Sequence, residues 1–337
     1  MDPILFEMFG LAFKLPFPCP ELRLAANPDI EPDVTVCLAE VPEELPGARH
    51  REAGPAYVCQ VKEGQFLLRI RGLGSYLVQD GERINLTIAP GAKREDVLAY
   101  LLGSCVGVLL HQRGLMPLHA SVLRTVAGAV LFAGHSGTGK STLLSAFRQR
   151  GYSVLADDIA GIVEADTGLL SVVPAFPRAK LTADSAAKLM LETQGLSRVG
   201  VDSQKFFVPL GESFSPQAAS LRAIYVLNPS DKAEIRLEEL TGSERLAAIV
   251  AHTFRLQWVA GLGRTEAHFM SAIRLATSVP VKRVHRPLSI FALDELVDCL
   301  EADLQMPSTH AANSSQLASR AGCQAETSVG ILGRVDG

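Results

Sequence analysis

The residues from Gly134 to Ser141, Gly-His-Ser-Gly-Thr-Gly-Lys-Ser, have the types and spacing of a phosphate-binding loop. Glycines let the backbone curl so that several N–H groups point at one anion, and a helix starting there adds its positive dipole end. In such loops the lysine, here Lys140, binds the β- and γ-phosphates, and the following hydroxyl, here Ser141, binds Mg²⁺. The motif predicts a site for a nucleoside triphosphate formed by Gly134, His135, Ser136, Gly137, Thr138, Gly139, Lys140, Ser141 and Thr142.

The context of this loop supports the prediction. An apolar run, Ala129 to Ala133, predicts a buried strand before it, and Ser141 to Arg150 has the pattern of a helix after it. A strand, a glycine loop and a helix in this order are what the motif requires. The alternative is a glycine-rich turn that only starts a helix.

Two adjacent acids follow the loop helix. Gly151 is placed to end that helix, and Val154 to Ala156 predicts a short strand beside the loop strand. Asp157 and Asp158 then lie at the carboxyl end of the strand, where open α/β sheets bind ligands. One carboxylate can hold Mg²⁺ and the other can accept a proton from an attacking hydroxyl. Both can serve one site only if the chain turns at Asp158, because neighbours on a strand face opposite ways; the alternative is a solvated turn.

His119 lies at the start of a strand that is predicted to pair with the loop strand through the turn Thr125 to Gly128. This hairpin would carry the imidazole towards the phosphate edge, where it can bond a carboxylate or a phosphate oxygen. A packed core histidine is the equal alternative.

These segments together resemble the HPr kinase/phosphorylase superfamily, in the sequence Pro-Leu-His-Ala-Ser around His119, in the loop, and in the stretch that ends at Asp158. The resemblance covers about residues 119 to 162. It implies an ATP- and Mg²⁺-dependent kinase that phosphorylates a serine of a protein or peptide. It also implies that Lys140 binds phosphate, that Ser141 and Asp157 bind the metal, that Asp158 is the catalytic proton acceptor, and that His119 supports the active site.

The chain departs from the bifunctional members of that superfamily. It lacks their Glu-Ile-Arg-Gly-Leu-Gly stretch, which supplies a metal-binding glutamate and a loop used in phosphorolysis, so the resemblance implies a kinase without phosphorylase activity. The segment Pro-Arg-Ala-Lys-Leu, 177–181, is similar to a divergent branch that includes lasso-peptide precursor kinases. Arg178, Lys180 and Lys205 are candidate contacts to phosphate or substrate, because the transition state needs positive charge around its oxygens. Each has the alternative of being a surface cation.

The composition of the chain limits which classes of protein and partner are possible. The 337 residues are 47% hydrophobic and 20% charged, as in an ordinary globular protein. A net charge of −4 gives no argument for a nucleic acid or an anionic membrane as partner. The six cysteines are scattered without zinc-site spacing, and the N-terminus has no basic segment of a signal peptide. The longest apolar run, 97–110, is too short to span a bilayer. We therefore expect a cytoplasmic protein.

The patterning predicts an α/β fold with an HPr-kinase-like core of mixed sheet and helices behind a smaller β-rich N-terminal domain. Residues 56–61, 65–70, 75–79 and 84–88 are short strand patterns separated by turn signals, which predict an antiparallel meander. We expect a β-rich domain over 1–92, the phosphate-loop domain with a lead-in helix over 93–305, and a disordered tail over 306–337.

Three functions remain open at this point: a protein or peptide serine kinase, a small-molecule kinase of the same fold, and a nucleotide-binding regulator or ATPase. The loop also resembles that of transporter ATPases, but the chain has no Leu-Ser-Gly-Gly-Gln stretch. Oligomers are usual in the superfamily, so a homo-oligomer is an expectation from resemblance.

Overall fold

The computed structural model describes residues 3–165, 167–199, 204–232, 234–287 and 292–305. The tail that is predicted to be disordered, 306–337, lies outside the described residues. The chain divides into two units, Met1–Phe291 and Ala292–Gly337. The second unit contributes one described helix, and all of the site described below lies in the first.

Nine strands from the first ninety residues form one mixed sheet. They are β1 (Ile4–Met8), β2 (Leu11–Leu15), β3 (Arg23–Leu24), β4 (Val34–Leu38), β5 (His50–Ala53), β6 (Tyr57–Lys62), β7 (Gln65–Ile70), β8 (Gly74–Gln79) and β9 (Arg83–Ile88). Their order is β3-β1-β2-β4-β9-β8-β7-β6-β5. Strands β6 to β9 are the predicted antiparallel meander. Strand β5 lies in the Pro- and Glu-rich stretch 40–55, pairs with β6 and forms the edge of the sheet.

One long helical segment joins this sheet to the rest of the chain. It consists of α1 (Arg94–Tyr100), a π-helical turn (Leu101–Cys105) and α2 (Val106–Gln112). The buried helix predicted here is confirmed, whereas the π-helical turn has no sequence signal. The Tyr76 hydroxyl donates to the Val97 carbonyl at 3.0 Å. This bond and the burial of nearly every apolar residue place the segment in the core.

The elements that follow build a second mixed sheet and its helices. They are β10 (Met116–Leu118), β11 (Ala120–Thr125), β12 (Gly128–Ala133), α3 (Lys140–Gln149), β13 (Ser153–Ala156), β14 (Ala160–Glu164), β15 (Leu170–Val173), β16 (Arg178–Thr182), α4 (Ala183–Lys188), β17 (Lys205–Pro209), β18 (Ala219–Ser230), β19 (Arg236–Glu239), α5 (Gly242–Ala251), α6 (Leu256–Val259), α7 (Thr265–Ser278), β20 (Val281–Pro287) and α8 (Leu293–Asp303). The sheet order is β10-β14-β15-β18-β12-β11-β13, and β20 pairs with β18 and β19. Strands β16 and β17 form a separate two-stranded sheet.

The strand that leads into the phosphate loop, β12, lies inside this sheet. It pairs in parallel with β18 and, through the predicted hairpin, antiparallel with β11. The prediction that β13 lies directly beside β12 is wrong. The hairpin partner β11 occupies that edge of β12, so β13 pairs with β11 instead. Because β13 is antiparallel to β11, it still runs in the direction of β12 and brings its carboxyl end to the same edge.

Three further boundaries differ from the sequence patterns. Helix α4 ends at Lys188, although residues 182–193 have a helical pattern, and Thr182 caps it by accepting from the Ser185 N–H as expected. Strand β18 continues past Pro229, because β20 pairs with it as far as Ser230. Residues 242–256 also have a helical pattern, but the segment is divided into α5 and α6, and Arg255 just before α6 has a φ of 55°, which an α-helix does not allow.

One hydrophobic core connects the two sheets of the first unit. It includes Phe13 and Val78 of the first sheet, Val106 of α2, and Leu131 and Ile224 of the second sheet. The predicted fold class is confirmed: the chain has large mixed sheets with helices, and its N-terminal part is rich in strands. No helix in the part of the chain that the structure describes is long and apolar enough to cross a membrane.

Candidate active site

The phosphate loop connects β12 to α3 as the motif requires. Its three glycines have positive φ, with 151° at Gly134, 86° at Gly137 and 94° at Gly139. A Cβ added at Gly134 would lie 2.6 Å from the Thr138 hydroxyl oxygen and 3.2 Å from a β18 carbonyl. Only glycine therefore fits there. The tip of the loop, 135–137, is exposed, so its backbone is accessible to an anion.

Lys140 lies under this loop. Its Nζ donates to the Gly134 carbonyl at 2.7 Å and to the His135 carbonyl at 3.1 Å. Burial lowers the pKa of Lys140 to about 8, although Asp157 and Asp158 favour its charged form. A bound phosphate would favour the charged form further by the same attraction. The buried ammonium is thus preorganised beneath the loop.

A second cation, from β20 of the same sheet, also contacts the loop. Arg286 of β20 donates to the Thr138 carbonyl from Nε at 3.1 Å and from Nη2 at 2.7 Å. Nη2 also lies 3.1 Å from the position that a Cβ at Gly139 would occupy. Two donors on one carbonyl fix the direction of the peptide group that precedes α3. Sequence reasoning missed Arg286, which lies nearly 150 residues from the loop.

Asp157 is buried and accepts three hydrogen bonds. Oδ1 accepts from the hydroxyls of Ser121, at 2.5 Å, and Ser141, at 3.0 Å. Oδ2 accepts from the Lys180 backbone N–H at 2.7 Å. The structure thus brings together the two predicted metal ligands, and it adds Ser121, a fully buried residue of β11.

These oxygen donors fit a magnesium ion. Mg²⁺ is a hard cation that usually takes one or two carboxylates together with substrate phosphates rather than an all-protein cage. Asp157 and Ser141 supply one carboxylate and one hydroxyl within hydrogen-bonding distance of each other. Among the residues described, no cluster of three or more His, Cys, Asp or Glu side chains is arranged to hold a metal by itself. A metal here would therefore depend on the nucleotide for its remaining ligands.

The chain turns at Asp158, whose φ is 78°. This left-handed residue meets the condition under which both aspartates can serve one site. Asp158 Oδ2 accepts from Lys180 Nζ at 2.7 Å, and Oδ1 lies 3.5 Å from Nδ1 of His119. Burial by itself raises the pKa of Asp158, but the ammonium of Lys180, with smaller contributions from His119 and Lys205, outweighs it and lowers the pKa to about 2. The carboxylate is ionised at neutral pH.

Lys180 thus contacts both aspartates, with its backbone N–H on Asp157 and its ammonium on Asp158. It lies on β16, which pairs with β17 in the small sheet. Its side chain also lines the cavity beside the loop, and its contact to phosphate or substrate stays a prediction. The pairing with Asp158 has no signal in the sequence, because 22 residues separate the two.

His119 contacts both Lys140 and the turn at Asp158. Nδ1 lies 3.0 Å from the Asp158 carbonyl, and Nε2 lies 3.1 Å from Lys140 Nζ. These partners assign the proton to Nδ1, which donates to the carbonyl, so that Nε2 accepts from the ammonium. Burial lowers the pKa of His119, which favours this neutral form. The imidazole is therefore placed to orient Lys140.

A cavity of about 600 Å³ opens beside these groups. Among the predicted residues it is lined by His119, Gly134, His135, Ser136, Asp158, Lys180 and Lys205. Its remaining wall contains residues that sequence reasoning did not assign to the site: Ala99, Tyr100, Gly103, Ser104, Val199, Ala251, His252, Thr253, Phe254 and Arg255. The π-helical turn and the break between α5 and α6 therefore face the phosphate loop across the cavity.

This wall depends on close packing. The ring of Phe254 approaches α2 so closely that a Cβ at Gly107 would lie 2.4 Å from one ring carbon. The Arg255 guanidinium donates to the Ser104 hydroxyl at 3.2 Å and lies over the Trp258 ring at 5.0 Å. The sequence signal that could have found this wall is the aromatic pair at 254 and 258. The left-handed Arg255 turns Phe254 to the cavity, while Trp258 packs on Phe66 in the core.

Eight of the predicted residues are not among those that line the cavity: Gly137, Thr138, Gly139, Lys140, Ser141, Thr142, Asp157 and Arg178. Arg178 is buried, with its guanidinium 3.7 Å from the ring centroid of Phe207. Its predicted contact to phosphate remains a prediction, and the surface location that was its alternative is wrong. The Thr142 hydroxyl bonds to Ser185 of α4 at 2.9 Å, so its side chain joins two helices.

Comparison with known proteins gives a distant structural neighbour. No protein-family model and no curated protein matches the chain. Solved structures do match, among them the Hpr(Ser) kinase/phosphatase from Coxiella burnetii, with 12% identity over 56% of this chain and 95% of that chain, at a TM-score of 0.29. A TM-score this low carries no argument about activity, so function has to be argued from the geometry of the site.

Proposed function

We propose that this protein is an ATP- and Mg²⁺-dependent kinase that transfers the γ-phosphoryl group to a serine hydroxyl of a protein or peptide, without phosphorylase activity. The observation that carries the proposal is the convergence, on one cavity, of the phosphate loop and the Asp158 carboxylate. A protein that only binds nucleotide needs the loop but has no use for an ionised carboxylate turned towards the open side.

Different residues of the site have separate roles in the proposed reaction. Lys140 and the loop backbone bind the phosphates, and Arg286 contacts the loop through the Thr138 carbonyl. Asp157 and Ser141 would hold Mg²⁺, which when bound neutralises charge on the phosphate oxygens. Lys180 and Lys205 add positive charge around the transferred group, which compensates for the small number of acids at the metal site.

In the reaction that we propose, the serine oxygen forms a bond to the γ-phosphorus while the bond to the bridging oxygen of ADP breaks. The electron pair of that bond leaves with ADP, and the hydroxyl proton passes to Asp158. A carboxylate with a pKa of about 2 is a weak base, so proton transfer comes late, after much of the bond to the leaving group has broken. A loose transition state of this kind makes little demand on the strength of the base.

The proposal is tested by mass spectrometry after incubation with ATP, Mg²⁺ and a panel of acceptors. The panel holds an HPr protein, serine-containing peptides and small hydroxyl metabolites. We expect a gain of one phosphate on a protein or peptide serine. Asp158→Asn should abolish the gain and retain ATP binding, because it removes the acceptor of the proton but not the loop.

Asp184→Asn is the matched control, because Asp184 is an exposed carboxylate on α4 that makes the same kind of bond to a lysine. It should leave the phosphorylation rate unchanged. Phosphate on a metabolite but not on a peptide or protein would support the small-molecule kinase instead. ATP binding without turnover in the wild type would contradict the kinase mechanism and favour a regulator.

A further inference from the structure

The cavity at the phosphate loop continues into a second cavity. The second has a volume of about 1070 Å³ and shares Tyr100 and Val199 with the first. Its other walls come from the β7–β8 turn, the start of α1 and the segment before β17. A third cavity of about 470 Å³, which extends to the β5–β6 turn, shares Ala56, Ile70, Arg71 and Gly72 with the second. The three cavities are therefore neighbours in a row from Asp158 to the edge of the N-terminal sheet, and we call this row the channel.

The channel as a whole is larger than a pocket for a small acceptor needs to be. A pocket for a small molecule has a volume of about 300–1,000 Å³ and encloses most of its ligand. The first cavity alone reaches that range, and the two beyond it add more than twice its volume. A serine within an extended chain would occupy the first cavity while its flanking residues lie in the second.

The charge of the channel gives the chemistry of that flanking segment. The first cavity is lined by Lys180, Lys205 and Arg255 against one carboxylate. The second is lined by Arg71, Lys93 and Arg198 against two. One of those two is Asp96, which is buried, whereas all three cations are exposed. The chain as a whole carries a net charge of −4, so this excess of positive charge is local.

ATP accounts for the cations around the phosphate loop but not for those of the second cavity. We propose that Arg71, Lys93 and Arg198 bind the acidic flank of the acceptor, an extended peptide segment whose serine reaches Asp158. We call this surface the flank site. The proposal rests on the proposed function, since it names the substrate class for the same active site. Opposite charge at such a rim attracts the correct partner and disfavours others.

Binding of fluorescent peptides to the full chain tests the flank site without any turnover. The probes are peptides of about twelve residues, which extend over roughly 40 Å. Each has one serine with glutamates on one side or the other, and each has a matched peptide with glutamine in place of glutamate. We expect at least one glutamate peptide to bind about tenfold more tightly than its glutamine partner. Charge reversal by Arg71→Glu, Lys93→Glu and Arg198→Glu together should remove that preference.

The matched control reverses three exposed cations outside the channel, Arg23→Glu, Arg222→Glu and Lys232→Glu, for the same change in net charge. It should keep the preference for glutamate. Equal binding of glutamate and glutamine peptides, or a preference that survives reversal of the flank site, would overturn the proposal. Failure of the kinase proposal is recognised separately, because phosphate transfer is measured by mass and peptide binding by fluorescence anisotropy.

Discussion

The ion pair between Lys180 and Asp158 allows a direct test of how much burial strengthens an interaction in this site. Nζ and Oδ2 are 2.7 Å apart, and the two side chains are 17% and 21% exposed. The same protein contains a matched pair on its surface, Lys188 with Asp184 at 2.8 Å, whose side chains are 47% and 73% exposed. Residue types and distance are the same, so the two pairs differ chiefly in burial.

The strength of the buried pair follows from the pKa of Asp158. Its lowering from 3.8 to about 2 corresponds to roughly 2 to 3 kcal/mol in favour of the ionised form. Burial opposes this shift, and among the attractions that overcome it the one from Lys180 is the largest, so we expect a coupling between Lys180 and Asp158 on the order of 2 kcal/mol. An exposed pair contributes about 0–1 kcal/mol, because water screens it.

The assay is a double-mutant cycle on the free energy of unfolding in urea at pH 7. It combines Lys180→Met with Asp158→Asn, and separately Lys188→Met with Asp184→Asn. We expect a coupling energy of about 2 kcal/mol for the first cycle and below about 0.5 kcal/mol for the second. Added salt at about 1 M should remove the second coupling and leave most of the first, since buried pairs are screened less.

The pH dependence has a definite sign. The pKa of Asp158 is lowered by folding, so its contribution is fully present above 3.8 and is lost as the pH falls through about 2. The coupling of the buried pair should therefore be the same at pH 7 and pH 5. Equal couplings in the two cycles, or a decrease between pH 7 and pH 5, would refute the assignment of Lys180 as the residue that keeps Asp158 ionised.

Three further substitutions separate the parts of the proposed reaction. Ser121→Ala removes one of three hydrogen-bond donors to Asp157. It should lower the phosphorylation rate about tenfold at limiting Mg²⁺ and less at saturating Mg²⁺, as a magnesium titration would show. Arg286→Lys cannot place two donors on one loop carbonyl and should raise the KM for ATP about fivefold with little change in kcat, as steady-state kinetics would show. Gly107→Ala would push the Phe254 ring into the cavity. We therefore expect a higher KM for the acceptor, while calorimetry should show an unchanged affinity for ATP. Urea unfolding should show a loss of about 1–3 kcal/mol of stability.

Local sequence patterns were sufficient to predict the phosphate loop and the strand and helix on either side of it. The loop, its strand and its helix are contiguous, and glycines with positive φ are required by local backbone geometry. The hairpin that places His119 and the turn at Asp158 were accessible for the same reason. Short strand patterns separated by turn signals also predicted the meander β6 to β9, whose strands are neighbours along the chain.

Tertiary structure decided the contacts between segments that are distant in sequence. The position of β13 beyond β11, the bond from Arg286 to the loop, and the two contacts of Lys180 to the aspartates depend on how strands from separate regions pack. A cation in a sequence has no partner until the fold supplies one. Hence Arg178, which was considered together with Lys180, packs among aromatic rings instead.

The cavity wall opposite the phosphate loop likewise combines features that the sequence predicts with features that only the fold determines. The sequence by itself determined that a buried helix precedes the core and that aromatic residues occur near 254. Only the fold decided that a π-helical turn of that helix and a left-handed residue at 255 face the loop across one cavity. The physical reason is that such irregular backbone is held by packing from surrounding elements, and no residue pattern within the segment encodes it.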